Sequence, residues 1–173
     1  MARQTKPTQP DKPKPKHRDP IASGERDAAQ NRRASHDYFL LEKFEAGIVL
    51  TGTEVNSVRS ARVNLGDAYA LIKNGEVWLL NAHISQYEHG SYSNHEALRT
   101  RKLLMHKDQI RKLTGKTTIK GQTLIPTRMY FRNGRVKVEF ALAKGKQTWD
   151  KRETERRRTA DKEARAAMQR SRK

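Results

Sequence analysis

The sequence of 173 residues has no cysteine, few aromatic residues and no long apolar run, and each absence excludes a class of protein. Without cysteine there is neither a disulfide framework nor a thiolate metal site. No segment approaches the roughly 18–20 consecutive apolar residues of a membrane-spanning helix. The positively charged N-terminus is not followed by the apolar segment of a secretory signal. We therefore expect a protein of the cytoplasm.

Positive charge is what the sequence has in excess. Lys and Arg number 37 against 19 Asp and Glu, which gives a net charge of +18. A charge this large indicates a polyanionic partner, either nucleic acid or an acidic membrane surface. From residue 150 onward the only apolar residues are alanines and one methionine, so the bulky apolar face of a membrane-surface helix is missing. The charge pattern therefore favours RNA over a membrane.

The aromatic residues indicate which part of the chain folds. All 11 lie between Tyr38 and Trp149, and five of the six prolines lie within the first 20 residues. We interpret 1–24 as a disordered basic arm, 25–149 as one RNA-binding domain and 150–173 as a basic tail. The tail is rich in good helix formers but has no apolar stripe to dock on a core. We expect it to be frayed when free and helical when bound to a partner.

Two hairpins and several short elements are predicted between these ends. Asn74-Gly75 and Asn133-Gly134 supply the positive φ angles of type I′ turns between apolar runs. Further strands are predicted at 36–44 and 47–50, and helices at 28–34, at 54–61 with Thr53 as the cap, and at 106–113 ending at Gly115. Short strands with small helices in one domain predict a mainly β fold, an OB-fold-like antiparallel β-barrel with accessory helices. An antiparallel sandwich is the alternative.

Motifs of enzymes and metal sites are missing. There is no Gly-x-Gly for a dinucleotide loop and no Gly-x-Ser-x-Gly elbow, and no two of the six histidines are four residues apart. We expect no catalytic site, no metal and no cofactor.

Basic residues instead form three clusters, at 31–33, 99–102 and 144–152. The third holds Gly145, which allows a phosphate to approach the backbone closely. It also holds Trp149, whose polar neighbours favour an exposed indole that stacks on an RNA base. The alternative for Trp149 is a lid over the open end of the barrel.

Six segments in sequence order resemble one known family. They are 31–34 (NRRA) with 36–38 (HDY), 44–47 (FEAG), 50–59 (LTGTEVNSVR), 81–84 (NAHI) with Tyr87, 99–104 (RTRKLL), and 143–146 (AKGK) with 150–152 (DKR). This order is similar to the SsrA-binding proteins of bacterial trans-translation, the SmpB family. The resemblance covers the whole predicted domain from about residue 31 to 152.

The resemblance implies an OB-fold barrel and a non-enzymatic adaptor. Such proteins bind the tRNA-like domain of transfer-messenger RNA and bring it to stalled ribosomes alongside elongation factor Tu. The complex enters an empty decoding site, where the C-terminal tail occupies the vacant mRNA path and becomes helical.

The resemblance also implies roles for individual residues. Those matched to RNA binding are Asn31, Arg32, Glu45, Arg101, Lys102 and Leu104, with Arg101 and Lys102 neutralising phosphate. Those matched to the small ribosomal subunit at the decoding site are Gly145, Trp149, Asp150, Lys151 and Arg152. A salt-bridged strand carboxylate is the alternative for Glu45, and ordinary core packing is the alternative for Leu104.

Two positions depart from the family. The family often has His or Tyr where Trp149 stands, and Trp keeps the stacking capacity but loses the smaller polar edge. The family usually has Lys where Asn56 stands, so one cation is missing from that helix.

Three other functions remain as alternatives. A structural ribosomal protein would share the basic tails and the small barrel. An RNA-processing enzyme with a noncontiguous site would convert or cleave RNA, and a general single-strand binder would show no preference for a folded RNA.

Overall fold

The structure is a computed structural model and describes residues 25–90, 94–119 and 121–170. The predicted arm, 1–24, and the last three residues of the tail lie outside the described residues. Within the described ranges the strands are β1 Glu25–Gln30, β2 Tyr38–Ile48, β3 Val63–Asn64, β4 Tyr69–Lys73, β5 Glu76–Leu80, β6 His83–Ile84, β7 Arg101–Leu104, β8 Gln122–Arg132 and β9 Arg135–Gly145. The helices are α1 Arg32–Asp37, α2 Gly52–Arg59, α3 Lys107–Thr117 and α4 Thr148–Arg170.

The large sheet closes on itself. Its strand order is β1-β8-β4-β5-β7-β2-β9, every pairing is antiparallel, and β9 pairs back onto β8. Six strands therefore form a ring, with β1 added outside it on β8. The predicted mainly β, OB-fold-like barrel with short helices is confirmed.

Alternation along the strands fills the barrel. Val77, Leu79, Leu103, Val138 and Phe140 are all buried, with at most 2% of their surface exposed. In β9, Val138 and Phe140 point inward while Lys137 and Glu139 are partly exposed, as their spacing of two predicts. Burying side chains of this size stabilises the fold by about 1.5–3 kcal/mol each.

Both predicted hairpins are confirmed. Asn74 and Gly75 have φ angles of +53° and +72°, and Asn133 and Gly134 have +50° and +73°. These left-handed pairs connect β4 to β5 and β8 to β9.

The N-terminal part of the domain differs from the prediction. The expected helix at 28–34 is wrong, since residues up to Gln30 form β1 against β8 and the helix begins only at Arg32. Pairing with a long neighbouring strand outweighs the helix propensity of the alanines. The two expected strands at 36–44 and 47–50 are one strand, β2, because α1 holds the chain until Asp37 and β9 then pairs along the whole length from Tyr38 to Gly47.

Two helix boundaries also differ. The N-cap of α2 is Thr51, while Thr53 lies inside the helix and its hydroxyl is 3.0 Å from Nδ1 of His95. Helix α3 continues through Gly115 to Thr117, and the Thr118 N–H bonds back to the Thr114 carbonyl.

Helix α2 brings a carboxylate, that of Glu54, into the interior. Its side chain has no exposed surface, and it accepts hydrogen bonds from the Thr51 N–H at 2.7 Å, from Nε of Arg99 at 2.7 Å and from Nε of Arg101 at 2.8 Å. Burial alone would raise the pKa of Glu54, but the bonds from Arg99, Thr51 and Arg101 lower it to about 2.

Arg101 is also fully buried and uses its remaining donors on backbone carbonyls. Its Nη1 bonds Ala82 O at 2.6 Å and Arg99 O at 3.0 Å, and its Nη2 bonds Ala97 O at 3.1 Å. The Glu54–Arg101 pair thus joins α2, strand β7 and the loop before β7.

We expect Glu54→Gln to destabilise the fold by about 3–5 kcal/mol, because it leaves the Arg101 cation buried without a counter-charge. Urea unfolding measures this. The double variant Glu54→Gln with Arg101→Met is the control and should recover part of the loss. Since the pKa of Glu54 is depressed, its contribution is present above the ordinary 4.5 and is lost as the pH falls toward 2. Equal stability of Glu54→Gln and the unaltered chain contradicts this account.

Candidate nucleic-acid interface

The outer face of the barrel brings several of the predicted RNA-binding residues together. Gly47 in β2 pairs with Leu104 in β7 on one side and with Lys137 in β9 on the other. Glu45 is two residues from Gly47 and therefore lies on the same face of β2. Leu104, Glu45 and the Lys137 cation thus share one surface, which we call the outer face.

Leu104 is exposed over 52% of its surface, so core packing does not explain it. A Cβ at Gly47 would lie 3.3 Å from the Leu104 Cβ. The missing side chain at Gly47 therefore lets Leu104 lie against the strand with its apolar surface exposed.

Glu45 holds a polar network on this face. It accepts the phenol hydrogen of Tyr130 and pairs with Nη1 of Arg132 at 3.1 Å and Nζ of Lys137 at 3.4 Å. The hydrogen bond from Tyr130 has the largest effect, and it lowers the pKa of Glu45. Burial has a smaller, opposing effect, and the hydrogen bond from Lys137 lowers the pKa further. The carboxylate is therefore salt-bridged, as the alternative interpretation expected, and its role in RNA binding stays a prediction.

Asn31 is almost buried, and its amide is fully used within the protein. As the N-cap of α1 it accepts the Ala34 N–H at 3.1 Å, and its Nδ2 donates to Leu65 O at 2.8 Å and Pro126 O at 3.0 Å. A direct contact with RNA, expected from the sequence, is not available to a side chain bonded in this way. Asn31 instead fixes the position of α1 and of Arg32.

Arg32 is exposed and lines a cleft of about 450 Å³ between α1, β2, β8 and α4. Lys43, Arg128 and Arg158 line the same cleft, together with Glu139. Arg128 is already paired with Glu25, Asp27 and Glu139, and Lys43 with Glu139. Arg32 and Arg158 are therefore the cations that make the cleft suitable for phosphate.

The two cations at 101–102 have different environments. Arg101 has no exposed surface, so the expected direct neutralisation of phosphate is excluded by its burial against Glu54. Lys102 is partly exposed on the outer face, where it pairs with Glu76 and where its Nζ lies 6.0 Å from the centre of the Trp78 ring.

The residues predicted for the decoding site lie where β9 ends and α4 begins. Gly145 is exposed, and a Cβ there would meet no atom within 4 Å, so its backbone is open to approach. Trp149 is 63% exposed, with its Nε1–H bonded to the Gln147 side chain at 3.1 Å. This exposure excludes the alternative in which Trp149 closes the end of the barrel.

The segment 150–152 has three different environments. Asp150 accepts the Gln147 N–H at 3.0 Å and so caps α4. Lys151 pairs with Asp37 at 2.8 Å, while Arg152 is exposed.

Polar contacts dock the start of α4 on α1. His36 bridges two carboxylates, with Nδ1 2.8 Å from Asp37 and Nε2 2.9 Å from Glu155. Arg158 donates to the Ser35 hydroxyl at 3.1 Å. Residues 155–166 are all exposed, so this part of the tail is helical without burying an apolar face against the barrel. Fraying of the free tail stays a prediction.

Sequence reasoning assigned no role to His36, Glu54 or Trp78. His36 and Glu155 are 119 residues apart, so no local pattern joins them. The segment 36–38 was part of the family resemblance, which was the available signal for His36.

Neither a membrane-spanning helix nor a metal cluster is found in the described ranges. No helix there is long and apolar enough to cross a membrane. No group of three or more His, Asp or Glu in those ranges is arranged to hold a metal ion.

Fold and surface together define a class, that of small antiparallel barrels with a cation-rich face and a basic helical extension. The family model "SmpB protein" matches residues 28–170, and the chain therefore belongs to the SmpB family.

Relatives support this over the full length. An SsrA-binding protein of Koribacter versatilis is 63% identical over 173 residues, covering 98% of this chain and 99% of the relative. One of Desulforudis audaxviator is 57% identical and covers 83% and 94%. A solved structure described as "tmRNA-SmpB: a journey to the center of the bacterial ribosome" matches with a TM-score of 0.61 and 47% identity, covering 75% of this chain and 94% of that one.

The docking of α4 predicts a pH dependence. Hydrogen bonds to Glu155 and then Asp37 raise the pKa of His36 above 6.5, while Lys151 and then His36 lower the pKa of Asp37. The docked state therefore favours the protonated His36 ring. The contribution of His36 to docking is complete below pH 6.5 and is lost as the pH rises through the raised pKa of His36. Lys146, Lys151 and Arg158 also face α1, where they donate to Ser35 O, Asp37 and the Ser35 hydroxyl.

NMR titration of the His36 ring measures this shift. Glu155→Gln should return the pKa of His36 toward 6.5, whereas Glu163→Gln, farther along the same helix, should leave it raised. An identical titration in both variants contradicts the docking contact.

Proposed function

We propose that this chain is a non-catalytic adaptor that binds the tRNA-like domain of transfer-messenger RNA and delivers it to stalled ribosomes for trans-translation. Elongation factor Tu takes part in the delivery complex, which acts in the cytoplasm. The family match from residue 28 to 170 carries the proposal, because it includes both the barrel and the tail.

Two surfaces divide the work. Leu104, Glu45 and Lys102 on the outer face, with Arg32 in the cationic cleft, contact the RNA. Asn31 and Arg101 act through position, the first by fixing α1 and the second by fixing β7. Together the two surfaces offer an apolar contact for a splayed base beside cations for phosphate, which suits a folded RNA with unstacked loop nucleotides.

The end of the barrel and the tail serve the ribosome. Gly145 offers an open backbone and Trp149 an exposed ring at the decoding site. Asp150, Lys151 and Arg152 lead into the helix that occupies the empty mRNA path. The tail is basic and exposed on all sides from residue 155 to 166, which suits a channel lined by RNA phosphates.

Binding to two RNAs over a salt series tests the proposal. We expect preference for the tRNA-like domain of transfer-messenger RNA over an elongator tRNA to survive near-physiological salt, because shape-specific contacts outlast counterion release. Equal affinities that are lost together with salt would favour a ribosomal protein or a general single-strand binder. Conversion or cleavage of the RNA would favour an RNA-processing enzyme.

Removal of the tail separates capture from delivery. Truncation after Trp149 deletes most of α4 and should leave affinity for the RNA within about tenfold, or about 1.4 kcal/mol, yet abolish peptide tagging in a reconstituted system. The full-length chain with Asp150, Lys151 and Arg152 replaced by Ala is the matched variant and should tag poorly. Unimpaired tagging by the truncated chain would remove the tail from the mechanism.

A further inference from the structure

Strands β4 and β5 expose apolar side chains on the outer face. Leu71 is 48% exposed and Tyr69 37%, while Trp78 and Leu80 are half-buried. These positions alternate with the buried Ala70, Val77 and Leu79, so the barrel core is complete without them.

Strand register joins these side chains to Leu104. Leu71 pairs with Trp78, and Trp78 pairs with Lys102, which places the three in one row across β4, β5 and β7. Two residues farther along β7 stands Leu104. The apolar surface is therefore continuous with the outer face that carries Leu104 and Glu45.

A groove of about 460 Å³ runs over this row. Its apolar surface is formed by Leu71, Trp78 and Leu80, and polar atoms are contributed by Lys73, Glu76 and Thr100. The Trp78 indole is partly exposed in this groove, so a ligand can reach it from the side opposite the core.

The charge around Trp78 favours a nucleic acid over an apolar protein surface. Lys102 lies beside the ring and pairs with Glu76, the acidic residue of the groove, so these two charges balance each other. Lys73 is exposed at the end of β4 and adds a second cation. An aromatic ring between cations is the arrangement that stacks bases while the cations hold phosphates.

We propose that Trp78 stacks an unpaired nucleobase of the bound RNA, with Lys73 and Lys102 holding the adjacent phosphates. This extends the RNA interface from Leu104 across β5 to β4. It rests on the proposed function for the presence of a structured RNA ligand, and it is independent of the tail and of the ribosome.

The chain's two tryptophans allow a direct test. In Trp149→Phe, Trp78 is the one remaining tryptophan, and its fluorescence is followed while the tRNA-like domain is added at near-physiological salt. We expect quenching that saturates with the binding curve measured independently on the labelled RNA, because a stacked base quenches the indole. In the reciprocal variant Trp78→Phe, Trp149 reports on the tail, and its emission serves as the comparison.

Affinity gives the second readout. Trp78→Ala should weaken binding about 5- to 150-fold, the effect of losing one stacked base, while Trp78→Phe keeps a ring and should lose much less. Ile119→Ala removes an exposed apolar side chain beyond α3, away from the groove, and as the control should bind as the unaltered chain does. Circular dichroism verifies that the Ala variant is folded, and the Phe variant carries the test if it is not.

The outcomes separate the two proposals. Normal affinity together with unchanged Trp78 fluorescence overturns the stacking proposal and leaves the proposed function intact. Intact RNA binding by Trp78→Ala with impaired tagging assigns the groove to a protein surface and also overturns it. If the unaltered chain shows no preference for the tRNA-like domain, the proposed function fails and stacking fails with it.

Discussion

The buried carboxylate of Glu54 is the constraint on which the rest of the fold depends. It holds two arginines from the segment that enters β7, and Arg101 in turn bonds carbonyls before and after β6. A charge with no exposed surface is tolerable only when every partner is in place. The pair therefore fixes the entry of β7, and with it the position at which Lys102 and Leu104 emerge on the outer face.

A similar arrangement recurs elsewhere in the molecule, where one polar residue sets the position of another. Asn31 is buried and places Arg32, and the Glu45 carboxylate, itself exposed on the outer face, orients Arg132 and Lys137. Residues that matter for RNA binding in such a protein are thus of two kinds. Some present a surface to the ligand, and others hold that surface still, so loss of function alone does not distinguish them.

How much could be predicted from the sequence depends on the range of the interaction. Both hairpins were predictable because an Asn-Gly turn is decided within two residues. The roles within 101–104 were not, because in Arg-Lys-Leu-Leu either alternate pair suits the core until Glu54 selects Arg101 and Leu103 for the interior. The end of strand β1, residues 28–30, was predicted as part of a helix because its alanines favour one, and the pairing with β8 decides otherwise. The contact of His36 with Glu155 has no local signal at all.

The ring of strands is closed unevenly. Strands β8 and β9 pair along almost their whole length, whereas β4 meets β8 through one residue pair, Ala70 with Leu124. A closed sheet opens first at its shortest ladder, so we expect amide hydrogens near this seam to exchange with solvent through small local openings, and those of β9 to exchange only on global unfolding. Local opening between β4 and β8 leaves the long β2–β9–β8 ladders paired, and Glu45 forms its ion pairs with Arg132 and Lys137 on this side of the barrel.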